Sequence, residues 1–410
     1  MLLTFWDGSG TKFEEDAPDE MFQVMWTTGE SLSEDHRALF RAVENVVGSD
    51  ICAAKSSLTA LNSVMDLKLA DGRSVIVRQY YELPSQQCSD RFEHEAQLVR
   101  WLGDNSSIPV ARVIAMSTPT VEIPIPYMIM EKLSGNTLYG ILSVMTMEAK
   151  KNLMSSYLDI CLKLFRLEVP QMIGSAATDA SGALQVKPPI NAWVGSFAPV
   201  EHPLRSLKEY AFFLLSRRRE AALKGVVDED KTQVCATLDE LQAMLLPHID
   251  GLNDPALLRC ILRHDDMNPG NLLIDTSGAI LGVLDWEFHS IVPAVIAVSV
   301  PPWLPKGLPL GAAKSSDLAK SPETTQSPDT KDNSDAKDQP QAMWLFSGEE
   351  SQELSNHFEE LARQRDMDFY NILKRGEFIR SALAWVDHQP RFDPGLYKLR
   401  AWMTSQLDHE

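Results

Sequence analysis

The chain has 410 residues, 44% of them hydrophobic, enough apolar material for two sizeable cores and too much for a disordered chain. A formal net charge of −19 argues against a nucleic-acid partner, which needs a basic surface, and suits a cationic small molecule better than an anionic one. Five cysteines without a Cys-x-x-Cys pair, no apolar run near the ~20 residues of a membrane helix, and no basic, apolar leader together predict a cytoplasmic protein without disulfide framework, zinc site or membrane span.

Residues 1–30 are acidic and aromatic without a clear period and read as an N-terminal extension. Ser31 and Glu34 form a capping box, and Leu39, Phe40, Val43, Val46 and Val47 recur behind them at helical spacing. Strands are predicted weakly over 57–60, then over 63–69 and, after the turn Ala70-Asp71-Gly72-Arg73, over 74–80. A helix over 89–102 carries Phe92, Ala96, Leu98, Val99 and Leu102 on one face. Further helices are predicted over 146–167, 206–224 and 232–246. A short apolar strand over 257–262 and a hairpin with its turn at Asp275-Thr276-Ser277-Gly278 follow. Residues 312–341 are polar and rich in Pro and Ser, and cannot bury enough surface to offset the entropy of ordering; they read as a disordered insert. Helical patterns resume over 350–366, 367–385 and 397–407.

The chemistry is concentrated in Arg263-His264-Asp265-Asp266-Met267-Asn268-Pro269-Gly270-Asn271 and, one hairpin later, Val283-Leu284-Asp285-Trp286-Glu287. The pattern is His-x-Asp-x-x-x-x-Asn, then a strand ending in Asp. Phosphoryl transfer asks for a carboxylate that accepts a hydroxyl proton, and for an amide and a second carboxylate that hold magnesium. Asp266 fits the first role; Asn271 and Asp285 fit the others; His264 reads as a packed, structural histidine of the loop. Each part alone is a weak signal, since an Asp at a strand end is ordinarily a cap or a turn. Their order and spacing, with a hairpin that returns Asp285 beside Asn271, make the constellation specific.

These residues resemble the aminoglycoside phosphotransferase-like family, small-molecule kinases with a protein-kinase-like fold. The segments Ser107-Ile108-Pro109-Val110 and Ile125 to Leu138 are similar to family segments as well, and Met172-Ile173-Gly174-Ser175 with the stretch from Asp179 to Pro188 resembles the fungal-type branch. The resemblance implies an α+β, bilobal fold: a β-rich N-lobe over 31–133, a larger, mainly helical C-lobe over 134–410 interrupted by the insert 312–341, and ATP between them. It implies that Arg78 touches the phosphates, that Glu95 pairs with Arg78, and that the backbone from Met130 to Leu133 meets the adenine edge. Glu95 paired with Arg91 or Arg100 on its own helix is the plainer alternative.

Two features depart from that pattern. The segment from Ala53 to Asn62 contains no glycine where kinases cover the phosphates with a glycine-rich loop; Ser56, Ser57 and Thr59 stand there instead. Arg78 also replaces the familiar lysine. With Asp265 between His264 and Asp266, no Asp-Phe-Gly and no Ala-Pro-Glu, a protein substrate is disfavoured. The expected function is therefore an ATP- and magnesium-dependent phosphotransferase acting on a hydroxyl of a small molecule. The alternative is a catalytically silent or ATP-independent relative that binds or transforms a metabolite. Trp193, Phe197, Phe212, Phe213, Trp385 and Trp402 are candidates to line an acceptor pocket, most of them expected to be core; oligomeric state is not legible.

Overall fold

The computed structural model describes residues 2–6, 12–16, 25–28, 36–58, 62–80, 86–189, 200–224, 231–304, 346–387 and 396–407. The capping pair Ser31 and Glu34, Thr59, Trp193, Phe197 and the insert 312–341 lie outside them. The chain divides into two compact units: Met1–Leu3, Asp16–Ser206 and Leu258–Val298 form the first, and Thr4–Glu15, Leu207–Leu257 and Ser299–Glu410 the second.

The first unit is built on a six-stranded antiparallel sheet in the order Met25–Thr28, Ile51–Leu58, Asn62–Leu69, Ser74–Tyr80, Tyr127–Glu131, Val113–Ser117. The helix Arg37–Val47 supplies Leu39, Phe40, Val43 and Val47 to a core shared with Ala54, Met65, Leu67, Val75, Val77 and Ile129. Val46 falls off that stripe and is exposed. The strand Ile51–Leu58 is longer than the predicted 57–60. Its Ala53-Ala54-Lys55-Ser56-Ser57 stretch is poor in β-formers, and pairing on both edges holds it extended.

Side chains alternate along a strand, so Arg78 points away from the face that Val75 and Val77 share with the first helix. It meets the helix Gln86–Asn105 there. That helix buries Phe92, Ala96, Leu98, Val99 and Leu102, and, on the same face, the charged Arg91 and Glu95.

The chain then passes through the two-residue strand Asn136–Thr137, which pairs with Leu272–Ile274 of the predicted hairpin; Ile280–Val283 returns alongside. Asp275 closes the hairpin turn by accepting from the Ser277 and Ala279 backbone N–H groups at 2.9 and 3.0 Å. The turn presses on the helix Met147–Arg166, whose N-cap Thr146 accepts from the Ala149 N–H. Gly278 sits at φ +89, and a Cβ there would lie 2.0 Å from the Ala149 carbonyl oxygen.

The second unit is mainly helical: Leu207–Leu223, Lys231–Asp250, Gly348–Arg365, Met367–Arg375, Glu377–Asp387 and Leu396–Leu407. Lys231–Asp250 runs through Pro247, beyond the predicted end at Leu246. The predicted single helix over 367–385 is two, parted at Gly376, and Ser347 with Glu350 forms a capping box for the helix before them. Trp385 is buried, Trp402 stacks on Phe378, Phe213 carries Arg217 over its ring, and Phe212 is exposed. No helix among the described residues is long and apolar enough to cross a membrane.

Gly278→Ala combines a left-handed backbone with a backbone clash, whereas Gly182→Ala, at φ +84 with nothing within 4 Å, carries the backbone strain alone. Denaturant titration should show Gly278→Ala losing about 1–3 kcal/mol more than Gly182→Ala. Equal losses would mean that the turn moves off the helix freely.

Candidate active site

The apolar strand Cys260–His264 pairs with His289–Pro293, His264 opposite His289, and delivers the loop that follows. Asn268 accepts from the Gly270 N–H at 2.7 Å, Pro269 opens a single 3-10 turn, and the Asn271 N–H closes onto Asn268 O at 3.0 Å. The hairpin then brings the chain back, and the Leu284 N–H donates to Asn271 O at 2.8 Å. This one bond fixes Asp285 next to Asn271. Asp285 has φ 57 and is the sole non-glycine with positive φ among the described residues, a conformation that turns its carboxylate out of the strand direction.

Asp266 is half-buried, and both of its carboxylate oxygens accept amide protons: Oδ1 from Asn268 Nδ2 at 2.9 Å, Oδ2 from Asn271 Nδ2 at 3.1 Å. Asn271 Nδ2 also donates to Asp266 O at 2.8 Å. With two acceptors facing it, that end of the amide must be the nitrogen, which leaves Asn271 Oδ1 as the acceptor end of the side chain. His264 is buried; its Nδ1 accepts from the Asp266 N–H at 3.2 Å, so Nε2 carries the proton and donates to Leu284 O at 2.8 Å. Burial holds its pKa below the ordinary histidine value, against the Leu284 carbonyl and the carboxylates of Asp285, Asp265 and Asp266. His264 is thus a neutral strut between the two halves of the loop, packed edge-on to Trp286 at 4.6 Å.

Arg78 lies at the centre of a second, buried set of contacts. Its Nη1 donates to Glu95 Oε1 at 2.5 Å; its Nη2 donates to Asp285 Oδ1 at 2.9 Å and to Glu287 Oε2 at 2.5 Å. Arg91 Nη1 donates to Glu287 Oε1 at 3.2 Å, and Asn62 Nδ2 to Glu287 Oε2 at 2.9 Å. Arg91 therefore reaches Glu287 across the fold while Glu95 reaches Arg78. No hydrogen bond within the described residues reaches Glu95 Oε2, which is buried. Met130 pairs in register with Ile76 at the end of its strand, Leu133 follows it half-buried, and Met128, fully buried, lies opposite Arg78.

Glu287 and Asn62 carry no role in the sequence reading, and Arg91 enters it only as an alternative partner of Glu95, whereas it pairs with Glu287. Arg91 had a signal: it stands one turn before Glu95 on the face that carries Phe92 and Ala96, so a charge at that spacing is buried and needs a partner. Glu287 is flanked by Trp286 and Phe288, and nothing in the sequence shows that the chain turns it inward. Tyr139 was missed too. Its ring lies against Gly270, and burial together with the Asp266 carboxylate raises its hydroxyl pKa.

The donor set suits a hard divalent cation. The side-chain oxygen of Asn271 and the Asp285 carboxylate, 36% exposed, are hard oxygen groups of the kind such an ion takes. Among the described residues no group of three or more His, Cys, Asp or Glu is placed to hold a metal.

A family model described as the phosphotransferase enzyme family matches residues 58–296. Clavilactone A biosynthesis cluster protein Y of Ampulloclitocybe clavipes is 33% identical over 416 residues, covering 99% of this chain and 96% of that protein. An aminoglycoside phosphotransferase solved with AMP-PNP and hygromycin B superposes with a TM-score of 0.50 at 11% identity, over 91% of this chain and 97% of that one. A streptomycin–ATP ternary complex of another aminoglycoside phosphotransferase gives 0.50 at 10% identity, over 92% and 98%. These two share the fold: a sheet-rich N-terminal part and a mainly helical C-terminal part.

Burial raises the Glu95 pKa from 4.5 to about 8, with Asp285 and Glu287 adding to the rise and Arg78 opposing it. The folded state then holds this proton more tightly than the unfolded state. The stability it contributes is full below about pH 4.5, declines as pH rises, and is gone above about 8. Thermal unfolding followed from about pH 5 to 9 should show wild type losing stability relative to Glu95→Gln across that window. Parallel curves would assign the buried proton elsewhere.

Proposed function

The chain belongs to the phosphotransferase enzyme family, and from that premise we propose an ATP- and magnesium-dependent phosphotransferase that acts on a hydroxyl of a small molecule, a cationic one being favoured. The observation that carries this reading is the closure of one loop, through the Leu284–Asn271 backbone bond, around Asp266, Asn271 and Asp285. Asp266 is the general base. Asn268 and Asn271 hold its carboxylate in a single rotamer, so that it orients the acceptor hydroxyl and takes its proton during transfer. Asn271 and Asp285 are the residues that would hold magnesium, which supplies charge neutralisation of the phosphate oxygens. Arg78, steadied by Glu95, serves the phosphates, and the backbone from Met130 to Leu133 the adenine edge. In this reading 31–133 is the nucleotide-binding lobe, and 134–410, interrupted by 312–341, carries catalysis and the acceptor site.

The acidic chain favours a cationic acceptor through long-range attraction. The relative's name ties that protein to the biosynthesis of clavilactone A, which supports a small-molecule acceptor over a protein.

Thermal unfolding with ATP, magnesium, both or neither tests the reading. A ligand at about 100 times its Kd stabilises by about 2.7 kcal/mol. Wild type and Asp266→Asn should be stabilised by ATP and magnesium together, and Asp285→Ala should lose that response. In an ATP-consumption screen over hydroxylated small molecules, Asp266→Asn should lower turnover by at least about a hundredfold. Absence of any nucleotide response in wild type would favour the silent or ATP-independent relative, and a fully active Asp266→Asn would remove that residue from the mechanism.

A further inference from the structure

Arg78 Nη2 serves two carboxylates at once, Asp285 Oδ1 at 2.9 Å and Glu287 Oε2 at 2.5 Å. The shorter contact is to Glu287, which is itself held on its other oxygen by Arg91 and on the same oxygen by Asn62. Glu287 is 4% exposed and Arg91 is fully buried, its guanidinium lying over the Phe288 ring at 4.8 Å, so neither can retreat to solvent. Asp285 differs: its side chain is 36% exposed and its second oxygen receives no hydrogen bond from the described residues. The two carboxylates sit two positions apart in the chain and share one guanidinium nitrogen, yet one is locked and the other open.

We propose, resting on the phosphotransferase reading, that Glu287 is the positioning residue of this site: anchored by Arg91 and Asn62, it restrains Arg78 and so leaves Asp285 available to a divalent cation. The physical reason is charge balance in a place where water does not screen. Arg78 and Arg91 face Glu95, Asp285 and Glu287. Without the Glu287 charge, Arg78 has only Glu95 and Asp285 to turn to. A buried guanidinium then closes onto Asp285 and neutralises it, and a cation must displace an internal ion pair to bind. Without the Arg91 charge the balance shifts the opposite way: Glu287 draws Arg78 to itself, and the surplus negative charge falls on Asp285. Glu287 acts only through Arg78 and is not itself a ligand, because both of its oxygens are already spent on donors.

The test reads metal dependence rather than turnover. At fixed ATP, the magnesium concentration giving half of the thermal stabilisation is measured for wild type, Glu287→Gln, Glu287→Asp and Arg91→Gln. Groups behind metal ligands typically change affinity by about ten- to a hundredfold. Glu287→Gln should raise the half-effect concentration by about tenfold or more. Glu287→Asp, which keeps the charge, should stay within about threefold of wild type, and Arg91→Gln should lower the concentration. General damage to the fold cannot produce shifts of opposite sign. Shifts in the same direction for Glu287→Gln and Arg91→Gln, or none in either, would overturn the proposal. Should Glu287→Gln give no cooperative unfolding, the direction of the Arg91→Gln shift decides alone. A wild type without metal-dependent nucleotide stabilisation overturns the phosphotransferase reading and this proposal with it; a responsive wild type with unresponsive variants overturns this proposal only.

Discussion

Burying an arginine sets the terms for the first unit. Arg78 stands on an inner strand of a six-stranded sheet, away from water, where an unpaired guanidinium would cost several kcal/mol. Its partners come from separate parts of the chain: Glu95 from the helix Gln86–Asn105, and Asp285 and Glu287 from just beyond the hairpin. Sheet, helix and the segment beyond the hairpin are thus tied together by one side chain. Arg91 repeats the tie one helical turn earlier, so the helix is clamped at two points and cannot slide along the sheet without orphaning a charge. Ion pairs of this kind are poor sources of net stability, because desolvation offsets most of the Coulombic gain.

The loop obeys a similar logic with neutral groups. Asp266 collects the amides of Asn268 and Asn271, His264 braces its backbone, and Leu284 donates to Asn271 O. A carboxylate held by amide N–H groups is fixed in its rotamer with no counter-charge beside it, whereas one beside a guanidinium has its negative charge offset by that partner. The separation is consistent: Arg78 touches Asp285 and not Asp266. The carboxylate assigned to proton transfer is held by dipoles, and the one assigned to the cation is held by a charge that a cation can replace.

Much of this was legible before any coordinates, and the boundary of legibility has a physical cause. Local order was readable wherever a period or turn chemistry repeats within a few residues. The stripe Leu39, Phe40, Val43, Val47, the helix predicted over 146–167 and the Asp275 turn are cases in point. The His264-to-Asn271 spacing and the hairpin that returns Asp285 were readable for the same reason. Val46 and the extent of Ile51–Leu58 were not, because the first depends on where the stripe ends and the second on two neighbouring strands. Gly376 splits a helix whose apolar pattern runs on without a break. Contacts between residues 196 to 225 positions apart, such as Arg91–Glu287 and Asn62–Glu287, leave no local trace. A charge on an apolar face says that a partner exists and does not say which one.

Asn62 bears on the oddest feature of the sequence, the lack of glycine between Ala53 and Asn62. Kinases use glycine there because a bare backbone can come close to phosphate. In this chain the strand pair Ile51–Leu58 and Asn62–Leu69 is anchored from the inside: Asn62, 3% exposed, bonds to the same Glu287 oxygen that holds Arg78. Approach of the backbone is one way to place positive character near a phosphate; a forked guanidinium on a fixed strand is another, and it tolerates side chains around it. A lysine is a single point charge and cannot reach Glu95, Asp285 and Glu287 along two separate nitrogens, whereas Arg78 does so through Nη1 and Nη2. The fork lets one residue bind the helix, steady the strand pair through Glu287, and still present charge at the open carboxylate.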